Sequence, residues 1–221
     1  MIPLSDDDRS LRITPVVTYV LIALNAILYF LELNGGEAFI ERWAFVPSRF
    51  LANPLGDFPT LFTSMFMHAG PVHLLGNMLY LWIFGNNVED RLGHVTYTIF
   101  YLLCGLGATF AQLAVSTGSN IPNLGASGAI AGVLGAYILM FPRSRVNVLM
   151  GRAVVAMPAL VVLGLWILLQ IFSSVGTFTQ SAQTEGGVAY MAHIGGFVAG
   201  IVLTYVLGGT RRALPPPGAY R

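Results

Sequence analysis

Four polar side chains stand out within apolar stretches of this sequence: His73, Asn77, Ser127 and His193. In lipid a polar side chain is expensive and usually faces the interior of a helix bundle, so each is a functional candidate until a structural role accounts for it. A serine attacks a carbonyl only when a neighbouring base takes its proton, and neutral imidazole is the commonest such base. Ser127 lies in Leu124-Gly125-Ala126-Ser127-Gly128 and is followed at helical spacing by Ala131 and Gly135, a small-residue stripe that admits a close neighbour. His193 is followed on the same helical side by Gly196 and Gly200. If these two smooth faces pack, Ser127 and His193 meet. Taken singly, each has a plainer account, Ser127 as a packing residue and His193 as a structural hydrogen-bonder or proton-relay member.

His73 and Asn77 lie one turn apart and face the same way. Their N–H groups suit a developing oxyanion, and the Ser127 amide, unpaired at a helix start, would add a third donor; interhelical hydrogen bonding is the alternative for both side chains. His68 precedes them in the irregular stretch His68-Ala69-Gly70-Pro71 and is expected to order that loop. Ser127 does not sit in the nucleophile elbow of soluble hydrolases, which wants glycine where Ala129 stands. No H-E-x-x-H arrangement or third clear ligand suggests a metal. The acids are expected at helix ends and in loops, away from His193, so a Ser-His dyad without a third acidic member is expected. In it His193 would be general base toward Ser127 and general acid toward the leaving amine.

The elements that position these residues follow from composition. The chain has 221 residues, 55% of them hydrophobic and 10% charged, which excludes an ordinary water-soluble globule. A net charge of +1 leaves no basic surface for nucleic acid. All eleven basic residues are arginine, which removes lysine Schiff-base and Ser-Lys chemistry. The single cysteine, Cys104, excludes an intrachain disulfide and a cysteine-cluster metal site, and is expected to be a small buried apolar residue.

Six stretches approach the roughly 20 residues that cross a bilayer. They are predicted at 13–33, 71–88, 95–115, 124–141, 153–175 and 188–207, an all-α bundle with a cytoplasmic segment 1–12, a membrane domain 13–208 and a disordered cytoplasmic tail 209–221. The first run ends in Glu32-Leu33-Asn34 rather than a small-residue cleavage site, and is expected to remain as a signal anchor. With the N-terminus inside, only Arg42 and Arg49 of the eleven arginines fall outside, which predicts both termini cytoplasmic, and the plasma membrane is the expected location. The first outer loop, 34–70, mixes Trp43, Phe45, Phe50, Phe58 and Phe62 with Pro47, Pro54 and Pro59 and is expected to lie in the membrane interface. No internal repeat suggests the inverted halves of a transporter.

These residues resemble the rhomboid family of intramembrane serine proteases. The similarity rests on the stretch from His68 to Asn77, on Glu89-Asp90-Arg91-Leu92-Gly93, on Gly125-Ala126-Ser127-Gly128, and on Ala192-His193-Ile194-Gly195-Gly196 with Gly200. The resemblance implies Ser127 as nucleophile, His193 as base, and His73, Asn77 and the Ser127 amide as oxyanion hole. It implies cleavage of peptide bonds in or near transmembrane segments of other membrane proteins, without cofactor or metal. It further implies a short central fourth helix with its serine on the floor of a cavity open to the outside. Helix five and the polar loop 173–187 would be gate and cap, 34–70 an interfacial element, and Glu89, Arg91 and Gly93 a structural turn.

Two positions depart from the family pattern. Some members carry a tyrosine one turn after the serine that packs on the catalytic histidine, where this chain has Ala131, so another residue must hold the ring. The Trp-Arg pair of the first loop is replaced by Arg42-Trp43-Ala44. A silent relative that binds transmembrane helices would be expected to lack the serine or the histidine, and both are present. A proton-conducting transporter using His73 and His193 would need more polar residues through its inner half than Gln112 and Gln170 supply. Because a helical backbone is shielded, expected substrates carry Gly, Pro or polar residues near the outer end of their span and a small residue before the cut.

Overall fold

The computed structural model describes residues 1–7, 11–179 and 189–209. After the short strand β1 (Ile2–Ser5), helix α1 (Val16–Trp43) follows Pro15 and runs as one apolar rod to Gly36, where φ of 58° breaks it. Only a residue without Cβ turns there at little cost. Three short helices follow, α2 (Pro47–Ala52), α3 (Pro54–Asp57) and α4 (Thr60–Thr63), the first two opened by a proline whose missing N–H is no loss at a helix start. A 3₁₀ turn at Ser64–Phe66 leads toward α5 (Pro71–Tyr80), which passes through a π-helical turn at Leu81–Gly85 into α6 (Asn86–Leu92). Gly93, with φ of 77°, ends that rod and begins α7 (His94–Val115).

Helix α8 (Ser127–Met140) is the centre of the molecule: every residue from Gly128 to Tyr137 is buried. It is walled by α7 and by the last helix, α10 (Tyr190–Val206), and small residues make this possible. A Cβ added to Gly196 would run into the Gly128 carbonyl, and one added to Gly200 into the Gly132 carbonyl. One added to Gly132 would strike Cys104, which is fully buried in α7. The backbone of α8 therefore meets α10 at Gly128, Gly132 and Gly135, of which Gly135 belongs to the Ser127-Ala131-Gly135 stripe expected from sequence while Gly128 and Gly132 lie one residue round from Ser127 and Ala131.

The far end of the bundle from Ser127 is held by acids. The fully buried Glu89 carboxylate accepts the Val17 N–H at 2.9 Å and the Thr18 N–H and hydroxyl at 2.7 Å each, capping the first turn of α1, and lies 2.6 Å from Nδ1 of His94. Asp90 takes the Arg12 and Ile13 amides at 2.7 and 2.9 Å. Arg91 stacks over Phe141 at 5.2 Å. Asp6 accepts from Asn87 at 2.7 Å and from the Tyr137 hydroxyl at 2.6 Å, tying the N-terminal segment to α6 and α8.

The protein is mostly helical but not all-α. Strands β2 (Arg145–Met150) and β3 (Ala153–Pro158) form a hairpin that β1 extends into an antiparallel sheet of order β1-β2-β3. The stretch from Ala153, expected as the start of the fifth span, is thus a strand, and helix α9 (Ala159–Thr179) begins six residues later than expected. The reason is the tight turn at Gly151-Arg152, where Gly151 has φ of 62° and Met150 pairs with Ala153. Val146 and Val148 of β2 point inward, an alternation that the reading of this stretch as a connection between two spans passed over.

Of the described helices, Val16–Trp43 and His94–Val115 are by themselves long and apolar enough to cross a membrane; Ser127–Met140, Ala159–Val175 and Tyr190–Val206 are apolar and shorter. Large apolar side chains turn outward on many elements, among them Val72, Val95, Phe172 and Val206, each more than 70% exposed. Such a surface suits lipid rather than water. In the first long loop Leu55 and Phe58 are exposed as well. The expected cap falls partly, and the expected tail almost wholly, outside the described residues.

Candidate active site

Ser127 is the first residue of α8, and His193 sits in the first turn of α10. Because α8 and α10 approach to backbone contact, these residues meet: Ser127 Oγ and His193 Nε2 are 2.8 Å apart, and both are half-buried. No side chain caps α8, whose preceding residue is Ala126, so the first amides of the helix keep their hydrogens for another partner.

His73 and Asn77 stand in successive turns of α5. The Ala69 N–H points to His73 Nδ1 at 3.4 Å, which leaves Nε2 to carry the ring hydrogen. That edge of the ring borders Ser127 across Gly125: a Cβ built on Gly125 would lie 3.0 Å from His73 Cε1, 3.3 Å from His73 Nε2 and 3.4 Å from Ser127 Oγ. Glycine is needed there doubly, for the space and for its φ of 138°. Asn77 is 8% exposed, and its amide nitrogen has no hydrogen-bond partner among the described residues. A buried donor left open is uncommon and is what a site awaiting an anionic oxygen presents.

Behind this layer His68 is buried, with both ring nitrogens unpartnered among the described residues; its ring meets those of Tyr29 and His73 edge-on. Burial, reinforced by His73, pushes its imidazole down to about 4, so it is neutral at ordinary pH. Its amide donates to Glu32 at 2.9 Å, which ties the start of the His73 segment to α1. The sequence offered Glu32 only as a helix-end acid. A cavity of about 40 Å³, room for water, opens beside Ser127 between Ser64, Thr109, Gln112 and Gly125.

The first loop is joined to the site by its backbone. Phe45 and Asn123 exchange hydrogen bonds at 3.3 and 2.7 Å, and the Gly125 N–H donates to Ser64 at 2.9 Å. Arg49 anchors the loop from within, donating to Asp57 at 2.7 Å and to the carbonyls of Glu41 and Ala44. The anchoring arginine missing beside Trp43 is thus found at Arg49; Arg42 instead lies over the Trp43 ring at 5.0 Å. The residues that meet the His193 ring were also missed. Gln170 Oε1 is 2.7 Å from Nδ1, and the Trp166 ring packs at 5.8 Å between centroids, tilted by 37°. Their one signal in sequence was a lone amide in an apolar helix. Among the described residues no group of three or more His, Cys, Asp or Glu is placed to hold a metal.

The rhomboid domain family matches residues 55–210 of the chain. The rhomboid protease GluP of Bacillus subtilis is 30% identical over 210 residues, covering 93% of this chain and 36% of that protein. The mitochondrial rhomboid protein 1 of Saccharomyces cerevisiae is 25% identical over 191 residues, 84% of this chain and 51% of its own length. RHOMBOID-like protein 4 of Arabidopsis thaliana is 30% identical over 147 residues, 66% of this chain and 33% of that protein. The chain therefore spans between a third and a half of the length of these relatives.

Proposed function

From its membership of the rhomboid family, to which this chain belongs, we propose that it is an intramembrane serine endopeptidase that cleaves peptide bonds in or near transmembrane segments of other membrane proteins. The family is membrane-embedded and generally proteolytic. The observation that carries the reading for this chain is the 2.8 Å contact between Ser127 Oγ and His193 Nε2, made across a separation of 66 residues. Two side chains so distant in sequence and so costly in lipid need a reason to be held together, and proton transfer between them is a sufficient one.

In this mechanism neutral His193 takes the Ser127 proton on Nε2 as Oγ bonds to the scissile carbonyl carbon. The carbonyl oxygen becomes an oxyanion facing the Ser127 amide, the His73 Nε2–H and the open Asn77 amide. As the C–N bond breaks, Nε2 returns its proton to the leaving amine. A water then bonds to the acyl carbon as His193 takes one of its protons, and that proton passes to Ser127 Oγ as the ester bond breaks and the acid is released. No step calls for a metal or a cofactor.

The membrane domain, 13–208, crosses the bilayer six times in this proposal, with both termini in the cytoplasm of a cell whose plasma membrane holds the protein. Support comes from the outward apolar surface and from the bias that leaves only Arg42 and Arg49 of the eleven arginines outside. Ser127 and its partners then lie toward the outer face. Its partners are transmembrane protein substrates and surrounding lipid, and nucleic acid is not among them.

The test is labelling of the purified, reconstituted protein with a fluorophosphonate, run beside Ser127→Ala and His193→Ala. Wild-type labelling lost in both variants is the expected result. A folded wild-type protein that neither labels nor cleaves any transmembrane substrate would overturn the proposal in favour of a silent helix-binding relative.

A further inference from the structure

Helix α9 presents apolar side chains to the outside along its length, including Leu160, Leu165, Leu168, Leu169 and Phe172. Gln170 breaks this pattern, and in lipid an amide needs a partner. Its Oε1 lies 2.7 Å from Nδ1 of His193, on the opposite side of the ring from Ser127. That contact has a chemical consequence. If Nε2 accepts the Ser127 proton, Nδ1 must carry the ring hydrogen in the resting enzyme, so Nδ1 is a donor and requires an acceptor. The amide oxygen of Gln170 supplies it. With the hydrogen on Nδ1 the amide must present its oxygen, because its NH₂ group would face an N–H if reversed. One turn earlier on the same helix, Trp166 packs against both the His193 ring and Phe197. Ala131 of α8, where a ring would otherwise stand, offers one methyl group.

We propose that Gln170 is the positioning residue of the dyad, selecting the Nδ1–H tautomer of His193 and aiming Nε2 at Ser127, with Trp166 supporting the ring from the same helix. This deepens the serine-protease reading and rests on it. Its structural consequence is that the base takes its alignment from α9, a helix separate from the α8–α10 pair that brings serine and histidine together. A displacement of the middle of α9 by one hydrogen-bond length removes the acceptor and frees the ring to turn, while Ser127 stays where it is. A neutral acceptor also differs from a carboxylate: it orients the ring without placing a full negative charge beside it.

The proposal is tested on the full chain in proteoliposomes with Gln170→Met, which removes the acceptor at similar volume, and Gln170→Glu, which restores one with charge. Fluorophosphonate labelling rates and cleavage kinetics are measured across pH, with thermal unfolding as the folding control. Gln170→Met is expected to lower kcat and the labelling rate by about 10- to 100-fold with little change in KM, the scale on which loss of an orienting partner acts at metal-bound histidines. Gln170→Glu is expected to recover much of that rate and to move the acidic limb of the profile to higher pH, since a carboxylate at Nδ1 favours imidazolium. Among the described residues His73 is the other titratable side chain whose charge acts on His193, and it is unchanged in every variant. A Gln170→Met protein with wild-type rate and pH profile would overturn the positioning role while leaving the dyad standing. Equal loss of rate in Gln170→Met and Gln170→Glu with unaltered pH profile would also overturn it, as would a fall confined to thermal stability. Failure of the wild type to label beside Ser127→Ala would instead overturn the protease reading itself.

Discussion

Ser127 has little reactivity of its own, and its neighbours divide the work that would make it a nucleophile. His193 must be neutral to accept its proton, so the active form is the deprotonated one and the rate is expected to fall as pH drops through the imidazole titration. A cleavage rate flat across that range, with chemistry limiting, would remove His193 from the base role. Asn77 contributes differently. If it is one of three oxyanion donors, as proposed, its loss in Asn77→Ala should lower kcat about 100-fold with KM nearly unchanged, because the interaction forms only in the transition state. If steady-state cleavage shows Asn77→Ala to be as inactive as Ser127→Ala, its role is more than auxiliary. The open amide nitrogen of Asn77 is the observation behind this expectation.

Among the elements, α8 and α10 set the distance between Ser127 and His193, and they do so through glycine. At Gly196 and Gly200 the helices touch backbone to backbone, so a side chain there has no space to occupy. Gly196→Val should force the pair apart, costing on the order of 1–3 kcal/mol or more of stability, and should abolish labelling of Ser127 although neither dyad residue is changed. Thermal unfolding and probe labelling measured together check it; a variant with wild-type midpoint and full labelling would mean that the helices approach less closely than described. The opposite end of the bundle is organised by charge: buried Glu89 caps α1 and meets His94 while half-buried Asp6 joins α6 to α8, so the cradle of the site is held from a distance by hydrogen-bonded acids. Of the four histidines, His94 alone was not singled out by sequence, because a histidine after a helix-breaking glycine carries no periodic signal.

The described residues turn many apolar side chains outward and pack glycine, alanine, aromatic rings and a few polar groups inward, the arrangement expected of a chain solvated by lipid. On the proposed function, a substrate reaching Ser127 from that lipid would arrive as a helix whose carbonyls are already bonded. Replacing the span of a cleaved substrate with a stable poly-leucine helix should therefore stop cleavage, and undiminished turnover in a reconstituted assay would show that unwinding is not required.

Which residue types stand on which helical face was determined by the sequence itself, because the 3.6-residue period relates positions within one segment regardless of what surrounds it. Ser127, His193, His73 and Asn77 were legible for that reason: each is a polar exception in an apolar run, and the glycines beside two of them announce close packing. So was a largely helical, lipid-facing chain. The tertiary structure alone decided what lies beside what. That Gln170 meets His193, that Arg49 rather than Arg42 ties the first loop, that Glu32 holds the His68 segment, and that β1 joins the β2–β3 hairpin all depend on contacts between distant segments. Periodicity sets the angle of a side chain about its own axis; the crossing of one axis with another is set by the packing of every helix at once.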